Sequence, residues 1–318
     1  MAEFVIEVQN LTKKFGKFIA VDNASFFVNR GEIFGFLGAN GAGKSTTIRM
    51  LCGLLSSSSG TATVAGYDIN QAPEKIKENI GYMSQKFSLY DDLTVRENIN
   101  FFGGVYGVSN SELRERMAWA VKMAGLEGRE DSLTRELSGG WKQRLALGCA
   151  ILHQPKIVFL DEPTGGVDPI SRRNFWELIN FLSEQGTTVF VTTHYLDEAE
   201  YCNRMMLMHS GKIIAGGSPK ELKAEHIKNP ILEVECEKVV EAMEIMRGQD
   251  WIIETTIFGT YLHISVPEEE SGRQKIRQAL SGNQIRVKRI DRITPSLEDV
   301  FIYLIEKYNR ETQEARQP

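Results

Sequence analysis

The sequence predicts an α/β protein, in which a phosphate-binding domain with a buried sheet is followed by a small α+β domain. Residues 38–46 form a glycine-rich loop between an apolar run and a helical pattern, as in nucleotide-binding folds. A second apolar run, 156–160, ends in the acidic pair Asp161-Glu162. From residue 231 onward the apolar periodicity follows the order βαββαβ. A length of 318 residues suits one large domain and one smaller one.

Bulk composition is that of an ordinary globular protein, with 42% apolar and 25% charged residues. The net charge of −5 gives no basic field, so no direct nucleic-acid partner is expected. No apolar run approaches the length that crosses a bilayer, and the acidic N-terminus does not resemble a secretion signal. The cysteines are scattered and predict buried thiols in a reducing compartment. A role at a membrane would therefore need spanning segments from another chain.

The glycine-rich loop fits the phosphate-binding pattern of Gly, four residues, then Gly-Lys-Ser/Thr. The residues expected to bind nucleotide phosphates are Gly38, Ala39, Asn40, Gly41, Ala42, Gly43, Lys44, Ser45 and Thr46. Glycines let backbone N–H groups face inward, and the helix at 46–52 adds its positive dipole end. Lys44 is expected to reach the β- and γ-phosphates, and the Ser45 hydroxyl to bind Mg²⁺. A chance glycine-rich turn is the alternative, but the strand at 33–37 and the helix on the other side argue against it.

Two residues outside the loop have open roles at this stage. Phe15 could stack on an adenine ring, because any base presents a π face, or it could fill the core of a first hairpin. Gln85 follows a short strand and could offer its carbonyl oxygen to a metal or position a water. Taken alone, Gln85 fits an ordinary surface loop better. Further strands are expected at 4–8, 21–28, 61–65, 80–83, 187–192, 204–209 and 212–215, and helices at 73–79, 94–106, 110–125, 170–185 and 197–201.

A second anion-attracting helix start is predicted where the sequence reads Leu-Ser-Gly-Gly, at 137–140. Ser138 suits the N-cap position, and Gly139 and Gly140 leave the first N–H groups of the helix bare. The chain contains one phosphate loop, so this helix start has no obvious anion of its own.

The strand that ends in Asp161 and Glu162 suits Mg²⁺ chemistry. Asp161 would hold the ion through water, and Glu162 would orient or deprotonate an attacking water. Two solvated acids at a strand end are the alternative, which the phosphate loop disfavours. His194 follows a β-branched strand, and although a lone histidine is usually structural, one beside this group could contact a γ-phosphate.

Together these parts resemble one family, the ATP-binding subunits of ABC transporters, over about residues 4–226. The matching parts, in the family's order, are the phosphate loop, Gln85, the Leu-Ser-Gly-Gly signature, the strand ending in Asp161-Glu162, the loop at 165–168 and His194. The resemblance implies a P-loop ABC ATPase domain at 1–226, with a mixed sheet core and a helical subdomain at about 86–154. Trp141 departs from the glutamine or methionine expected after the signature, and Val167 replaces the usual leucine.

Residue roles also follow from the resemblance. It implies an ATPase in which Phe15 stacks on adenine, Glu162, His194 and Lys44 are catalytic, and Ser45, Gln85 and Asp161 bind Mg²⁺. Two such domains would pair head to tail, as a homodimer or heterodimer, with each ATP held between one phosphate loop and the other chain's signature. The signature contacts would come from Ser138, Gly139, Gly140 and Gln143, and Asp168 would belong to the D-loop. ATP hydrolysis would drive a separate multi-span permease, which places the chain in the cytoplasm, peripheral to the cytoplasmic face of the cell membrane.

The C-terminal part, 227–308, is expected to be a ferredoxin-like α+β domain. Its elements are expected at 231–236, 238–247, 251–257, 260–266, 268–280 and 284–290. A last helix opens at 294–299, and its Pro-Ser-Leu-Glu-Asp-Val-Phe sequence resembles the subfamily that serves type-2 exporters of drugs, antibiotics, polysaccharides and sodium. A docking or dimer-stabilising module without a ligand of its own is the simpler interpretation of this domain. Residues 309–318 are polar and are expected to form a disordered tail.

Other ABC-type ATPases act outside transport, on nucleic acid or ribosomes. The DNA-associated class carries a long coiled coil between the Gln85 and Ser138 regions, where this chain has two short helices. The translation-associated class fuses two ATPase halves, and here there is one phosphate loop. A GTPase is disfavoured because no Asn-Lys-x-Asp motif for guanine is present.

Overall fold

The computed structural model describes residues 4–86 and 88–314, and the chain divides into two compact units between Pro219 and Lys220. The strands of the first unit are β1 (Phe4–Phe15), β2 (Phe18–Asn29), β3 (Ile33–Leu37), β4 (Ser59–Val64), β5 (Tyr67–Asp68), β6 (Ile80–Met83), β7 (Ile157–Asp161), β8 (Thr188–Thr193), β9 (Arg204–His209) and β10 (Lys212–Gly217). Its helices are α1 (Lys44–Leu51), α2 (Pro73–Asn79), α3 (Val95–Val105), α4 (Asn110–Ala124), α5 (Gly139–Ala150), α6 (Pro169–Glu184) and α7 (Leu196–Ala199), and α8 (Pro219–His226) begins at the boundary. The predicted mixed sheet and helical subdomain are confirmed.

The central sheet of the first unit has six strands in the order β10-β9-β3-β8-β7-β6. All pairings are parallel except that of β10 with β9. Strands β3, β7 and β8 are buried along their whole length, as parallel strands covered on both faces are. The register sets Leu37 beside Thr193 and Asp161 beside Thr192. The carboxyl ends of these three strands therefore meet at one edge.

A second, antiparallel sheet, in the order β2-β1-β4-β5, packs over the first across α1. Strands β1 and β2 form a hairpin of 12 residues each, longer than the sequence predicted. Between the sheets lies an aromatic cluster whose contacting rings have centroids 5.0 to 6.2 Å apart; its members are Phe26, Phe34, Phe36, Phe159 and Phe190. Burial of several phenylalanines at these distances makes the sheet a rigid base for the loops at its edge.

The helical subdomain contains α3, α4 and α5 around their own apolar core, which includes Val95, Ile99, Ala120, Leu145 and Leu152. Helix α3 begins with a capping box formed by Thr94 and Glu97, and Ser109 caps α4. These caps explain why both helices begin within one residue of their predicted starts.

The second unit contains β11 (Ile231–Cys236), α9 (Val239–Arg247), β12 (Glu254–Phe258), β13 (Tyr261–Ser265), α10 (Glu269–Gly282), β14 (Val287–Ile293) and α11 (Leu297–Glu314). The sheet order β12-β13-β11-β14, all antiparallel, is the predicted ferredoxin-like arrangement. Helices α9 and α10 cover one face of the sheet over an apolar core.

The predicted disordered tail was wrong for residues 309–314, because α11 continues to Glu314. This stretch is polar, but it contains no glycine or proline to stop the helix. Residues 315–318 lie outside the described part of the chain. Within the described residues no helix has both the length and the apolar character to span a membrane.

Candidate functional site

A buried glutamate at the end of β7 is the centre of the site. The Glu162 side chain is only 7% exposed, and its Oε1 lies 3.0 Å from the Lys44 ammonium. Its Oε2 accepts a hydrogen bond of 3.0 Å from the Gln85 amide. The Glu162 backbone has φ 48°, and its N–H donates to both the carbonyl and the hydroxyl oxygen of Thr192. A non-glycine residue held in this left-handed region is a mark of functional sites.

The phosphate loop is shaped for close approach of an anion. Helix α1 starts at Lys44, and its N-cap, Gly43, supplies no side-chain hydrogen bond, so the first N–H groups of the helix have no side-chain acceptor there. Gly43 has φ 109°, and a Cβ at that position would collide with the carbonyl oxygen of Ala20. A Cβ on Gly38 would likewise collide with the Met208 carbonyl oxygen. Glycine is therefore required at both positions.

Lys44 is held inward over the loop. Its side chain is 3% exposed and donates to the Gly38 carbonyl at 2.8 Å and to the Ala39 carbonyl at 3.2 Å, besides its ion pair with Glu162. The motif predicted that Lys44 reaches the β- and γ-phosphates of a bound nucleotide. In the structure Glu162 is the anion that Lys44 pairs with.

The predicted magnesium ligands Ser45 and Asp161 meet directly. The Ser45 hydroxyl donates to Asp161 Oδ1 at 3.0 Å, and the Thr192 hydroxyl donates to the same oxygen at 2.7 Å. Burial raises the pKa of the Asp161 carboxyl, while these two hydrogen bonds oppose the shift. A hydroxyl and a carboxylate oxygen side by side are a hard-oxygen pair that fits Mg²⁺. Gln85, the third predicted ligand, is turned with its amide nitrogen towards Glu162.

His194 lies at the same edge, after β8. Its Nδ1 is 3.2 Å from Glu162 Oε2, but the buried Nδ1 makes no hydrogen bond with any described residue. Glu162 is thus surrounded by Lys44, Gln85 and His194, which the sequence predicted separately. Parallel strand order brings them together from positions up to 150 residues apart in the chain.

Phe15, the predicted adenine-stacking residue, ends β1 and is 49% exposed. The Lys13 ammonium lies 5.1 Å from the centre of its ring. The hairpin that carries Phe15 reaches the phosphate loop, since the Ala20 carbonyl lies against Gly43. The exposed ring rules out the alternative that Phe15 fills the hairpin core.

The signature sequence begins α5 as predicted, with Ser138 at the N-cap. Ser138 Oγ accepts from the Trp141 N–H at 3.5 Å, and Ser138 and Gly139 are exposed. Trp141, which departs from the family pattern, packs against the core of the helical subdomain with the Arg129 guanidinium 4.3 Å from its ring. Gly140 is buried, and a Cβ at this position would collide with the Ser171 side chain.

The other two signature and D-loop residues have structural partners. Gln143, expected beside the signature, is fully buried, and its amide donates to the Pro163 carbonyl at 2.8 Å. Gln143 therefore packs the signature helix against the loop after Glu162 and does not form part of the exposed surface. Asp168 caps α6 by accepting from the N–H groups of Ile170 and Ser171. These hydrogen bonds lower the pKa of Asp168, that from Ser171 most.

Sequence reasoning missed Glu198, which is fully buried in α7. Its carboxylate accepts from the Thr164 hydroxyl and, at 2.6 Å, from the Thr193 hydroxyl, and Arg172 Nε lies 3.5 Å away. Thr164 begins the loop to Asp168, and Thr193 precedes His194. One buried carboxylate thus fixes both segments beside Glu162. The acid-rich sequence around it resembles a solvated helix, so only the alanine that follows hinted at burial.

Glu198→Gln is expected to lower kcat for ATP about tenfold while ATP affinity changes little. The amide keeps the shape but loses the charge that faces Arg172, so Thr164 and Thr193 are held less firmly and His194 shifts. Steady-state hydrolysis and ATP titration of the purified variant measure both quantities. Glu184→Gln, at the exposed end of α6, is the matched control. A variant with normal kcat would mean that Glu198 serves stability alone.

Comparison with known proteins agrees with this geometry. A family model described as ABC transporter matches residues 21–165, and one described as ATP-binding protein DrrA1-3-like, C-terminal domain, matches 217–305. The Nod factor export ATP-binding protein I of Rhizobium sp. (strain N33) is 35% identical over 305 residues, which cover 96% of this chain and 98% of that protein. The chain belongs to the family of ABC transporter ATP-binding proteins.

This ABC ATP-binding protein is also similar to a multidrug transporter subunit and to a cassette of known structure. The probable multidrug ABC transporter ATP-binding protein YbhF of Escherichia coli (strain K12) is 54% identical over 223 residues, which are 70% of this chain but 39% of YbhF. The chain thus matches well under half of YbhF. Among solved structures, a dimeric post-hydrolysis state of an ATP-binding cassette bound to ADP and phosphate aligns with TM-score 0.61 and 27% identity. That alignment covers 67% of this chain and 98% of the cassette.

Proposed function

We propose that this ABC protein binds and hydrolyses ATP with Mg²⁺ as one half of a dimer, and that it powers export through a separate permease. The observation that carries the proposal is the convergence of Lys44, Gln85 and His194 on the buried carboxylate of Glu162. This group lies at the carboxyl ends of parallel strands beside a phosphate loop, where α/β folds bind nucleotides.

Lys44 and Glu162 exchange partners in the proposed cycle. Without nucleotide, the buried ion pair of 3.0 Å holds Glu162 against the phosphate loop. When the triphosphate enters the loop, Lys44 pairs with phosphate oxygens and releases Glu162. The freed carboxylate then orients the attacking water and accepts its proton, while His194 contacts the γ-phosphate.

Ser45 and Asp161 are the proposed magnesium-binding residues, and Gln85 joins them after it leaves Glu162. When bound, the ion neutralises charge that develops on the phosphate oxygens. Thr192 sets the geometry, because its hydroxyl donates to Asp161 and accepts from the Glu162 N–H. One threonine therefore positions both carboxylates.

The dimer is proposed from the exposed start of α5. Ser138 and Gly139 present a capped helix N-terminus, an anion site, to solvent. A second ATPase subunit placed head to tail would bring its nucleotide to this helix. The dimeric ADP- and phosphate-bound relative supports this arrangement.

An aromatic surface patch next to Gln85 is the proposed permease contact. Tyr90 and Phe101 are 48% and 42% exposed, and their ring centroids are 4.8 Å apart. Val105, on the same helix as Phe101, is 62% exposed. The buried Asn98 side chain hydrogen-bonds the backbone N–H and carbonyl of Tyr90, which fixes the patch to α3. Gln85, which donates a hydrogen bond to Glu162, precedes Tyr90 by five residues in the sequence. The exposed apolar surface of the patch suits an amphipathic helix.

Export through a type-2 permease is proposed because the relatives are named for multidrug transport and Nod factor export. The match of the C-terminal unit to a DrrA-type domain also supports it. In this arrangement the chain is held at the cytoplasmic face of the cell membrane by its permease.

A pull-down tests this function. We would recover the Glu162→Gln variant from host membranes with ATP and Mg²⁺ and identify its partners by mass spectrometry. Recovery of a multi-span protein is the expected result, and the ATPase peptides would distinguish a homodimer from a heterodimer. Recovery of ribosomal or nucleic-acid proteins in its place would overturn the transport role and leave the ATPase chemistry.

Phe101→Ala is expected to reduce recovery of the multi-span protein at least tenfold and to leave ATP hydrolysis by the isolated chain unchanged. Loss of an aromatic anchor from an interface commonly costs about 2 kcal/mol. Phe181→Ala is the matched control, since Phe181 is similarly exposed, at 44%, and belongs to a different helix, α6. Equal loss in both variants would argue against the Tyr90–Phe101 patch as the permease contact.

A further inference from the structure

The sheet of the second unit has a polar face opposite its apolar core. The register places three rows of side chains across this face; they are Glu254, Ser265, Ile231 and Ile293, then Thr256, His263, Glu233 and Asp291, then Phe258, Tyr261, Glu235 and Arg289. The core face of the same strands carries mostly apolar residues, such as Leu232, Val234, Leu262 and Ile264. An antiparallel sheet commonly keeps one polar face, so the question is what covers this one.

Helix α11 is fastened over this face by a buried pair. Asp299 Oδ1 lies 2.8 Å from His263 Nδ1, and both residues are less than 9% exposed. The other carboxylate oxygen of Asp299 accepts from the N–H and hydroxyl of Ser296, and Ser296 Oγ accepts from the Asp299 N–H. This reciprocal cap explains the Pro-Ser-Leu-Glu-Asp sequence at the start of α11. Burial opposes ionisation of Asp299, but its hydrogen bonds with His263 and Ser296 keep its pKa below the ordinary value.

Between the polar face, α11 and the segment 225–229 lies a cavity of about 280 Å³. Its volume is at the lower end of the range for ligand pockets, which suits a small metabolite. Its acidic floor is Glu254, next to Ser265 and Thr256, and α11 contributes Tyr303 and Lys307. Lys228 lines the cavity from the chain segment, so cations and anions lie within the same small space.

Glu254 is the unusual group in this cavity. Its Oε1 is buried, and no group in the described part of the chain donates a hydrogen bond to it. A second carboxylate, Glu306 of α11, faces it. Burial, and next the charge of Glu306, raise the pKa of Glu254 to about 7, while Arg310 opposes the shift. An unsatisfied buried acceptor beside a second acid is costly to the fold, and a bound donor would satisfy it.

Two lysines also line the cavity. Lys228 and Lys307 are exposed and form no ion pair with any described residue. Three isoleucines, Ile227, Ile231 and Ile253, supply apolar lining. The pocket therefore offers an acceptor for a cation, two donors for an anion and a small apolar wall.

We propose that this cavity binds a small α-amino acid, with its ammonium group on Glu254 and its carboxylate on Lys228 and Lys307. Tyr303 and the three isoleucines would supply the wall for a short apolar side chain. The C-terminal unit is then a sensor of a metabolite, and it is not merely the docking module that the sequence suggested. This site is separate from the nucleotide-binding residues, all of which belong to the first unit.

Titration calorimetry of the full chain, without ATP, tests the proposal. The probes are the twenty common α-amino acids, and for the one that binds best, the matching amine without the carboxylate and the matching acid without the amine. We expect saturable binding by at least one short apolar amino acid and at least tenfold weaker binding by both half-molecules. Equal binding by a half-molecule, or no binding by any of the twenty, would overturn the proposal.

Glu254→Gln and Lys307→Ala are each expected to weaken that binding at least tenfold. Glu241→Gln, at an exposed position on α9, is the control and should bind as the wild type does. Unchanged affinity in Glu254→Gln would exclude Glu254 as the ammonium acceptor. Because no nucleotide is present, failure here leaves the ATPase proposal untouched.

Thermal unfolding of Glu254→Gln tests whether a loss of binding comes from a loss of fold. Glu254 has a pKa of about 7 in the folded chain and an ordinary value of 4.5. The folded state thus holds more protons than the unfolded state between these values, and wild-type stability falls as the pH rises through this range. The glutamine variant does not ionise, so its Tm should exceed the wild-type value by a margin that grows from pH 5 to pH 7 and then levels off. A variant less stable than wild type at pH 8 would contradict the role given to Glu254.

Discussion

Glu162→Gln is expected to lower ATP turnover by at least about 10²-fold, because the amide cannot accept a proton from the attacking water. ATP binding should be kept or become tighter. In the wild type the nucleotide must displace Glu162 from its 3.0 Å ion pair with Lys44, and glutamine offers no such charge. With ATP and Mg²⁺ the variant should accumulate as a dimer that size-exclusion chromatography separates from the monomer.

Glu184→Gln serves again as the control for turnover, since Glu184 is exposed and distant from the strand ends. Normal turnover in Glu162→Gln would exclude Glu162 as the catalytic carboxylate. Weaker ATP binding would argue instead that the Lys44–Glu162 pair supports the empty loop and does not compete with the nucleotide.

Lys44→Ala has the second large effect, and it falls on binding. Lys44 is expected to make charge-assisted hydrogen bonds to the phosphates, and their loss costs about 2–3 kcal/mol, or about 30- to 150-fold in affinity. Fluorescent ATP-analogue titration measures this change. The variant also leaves the buried Glu162 without its cation, so the empty protein should melt at a lower temperature than wild type.

Two companion variants make this result interpretable. Lys77→Ala removes an exposed lysine of α2 and should change neither affinity nor Tm. Lys44→Arg keeps the charge in a different shape, so it should recover part of the Tm while binding stays weak. Normal ATP affinity in Lys44→Ala would contradict the assignment of the phosphate loop.

Sequence patterns predicted the site where the chemistry is local. The phosphate loop needs glycine at Gly38 and Gly43 because a Cβ there would collide with backbone carbonyl oxygens of other segments. The sequence motif reflects this requirement. Apolar runs identified β3, β7 and β8, and parallel strands bring their carboxyl ends together. For that reason the sequence alone predicted that Asp161 and Glu162 lie beside the phosphate loop.

Contacts between residues far apart in the sequence could not be predicted from such patterns. Thr192 was one residue of a β-branched strand, and only the register with β7 reveals that it holds Asp161 and Glu162. Glu198 looked solvated because its neighbours are acidic, yet it is fully buried among hydroxyl donors. The cavity of the second unit could not be predicted for the same reason, since its lining comes from four separate segments of the chain.

The hydrogen bond from Gln143 to the Pro163 carbonyl has a consequence for ATP binding by the proposed dimer. In the proposed dimer, α5 contacts the nucleotide of the other subunit, whereas Pro163 directly follows Glu162, the proposed catalytic carboxylate for the chain's own nucleotide. A buried hydrogen bond of 2.8 Å joins these two segments. Filling one site would therefore alter the free energy of filling the other, so the pair of sites should respond to ATP concentration cooperatively, with a Hill coefficient above 1.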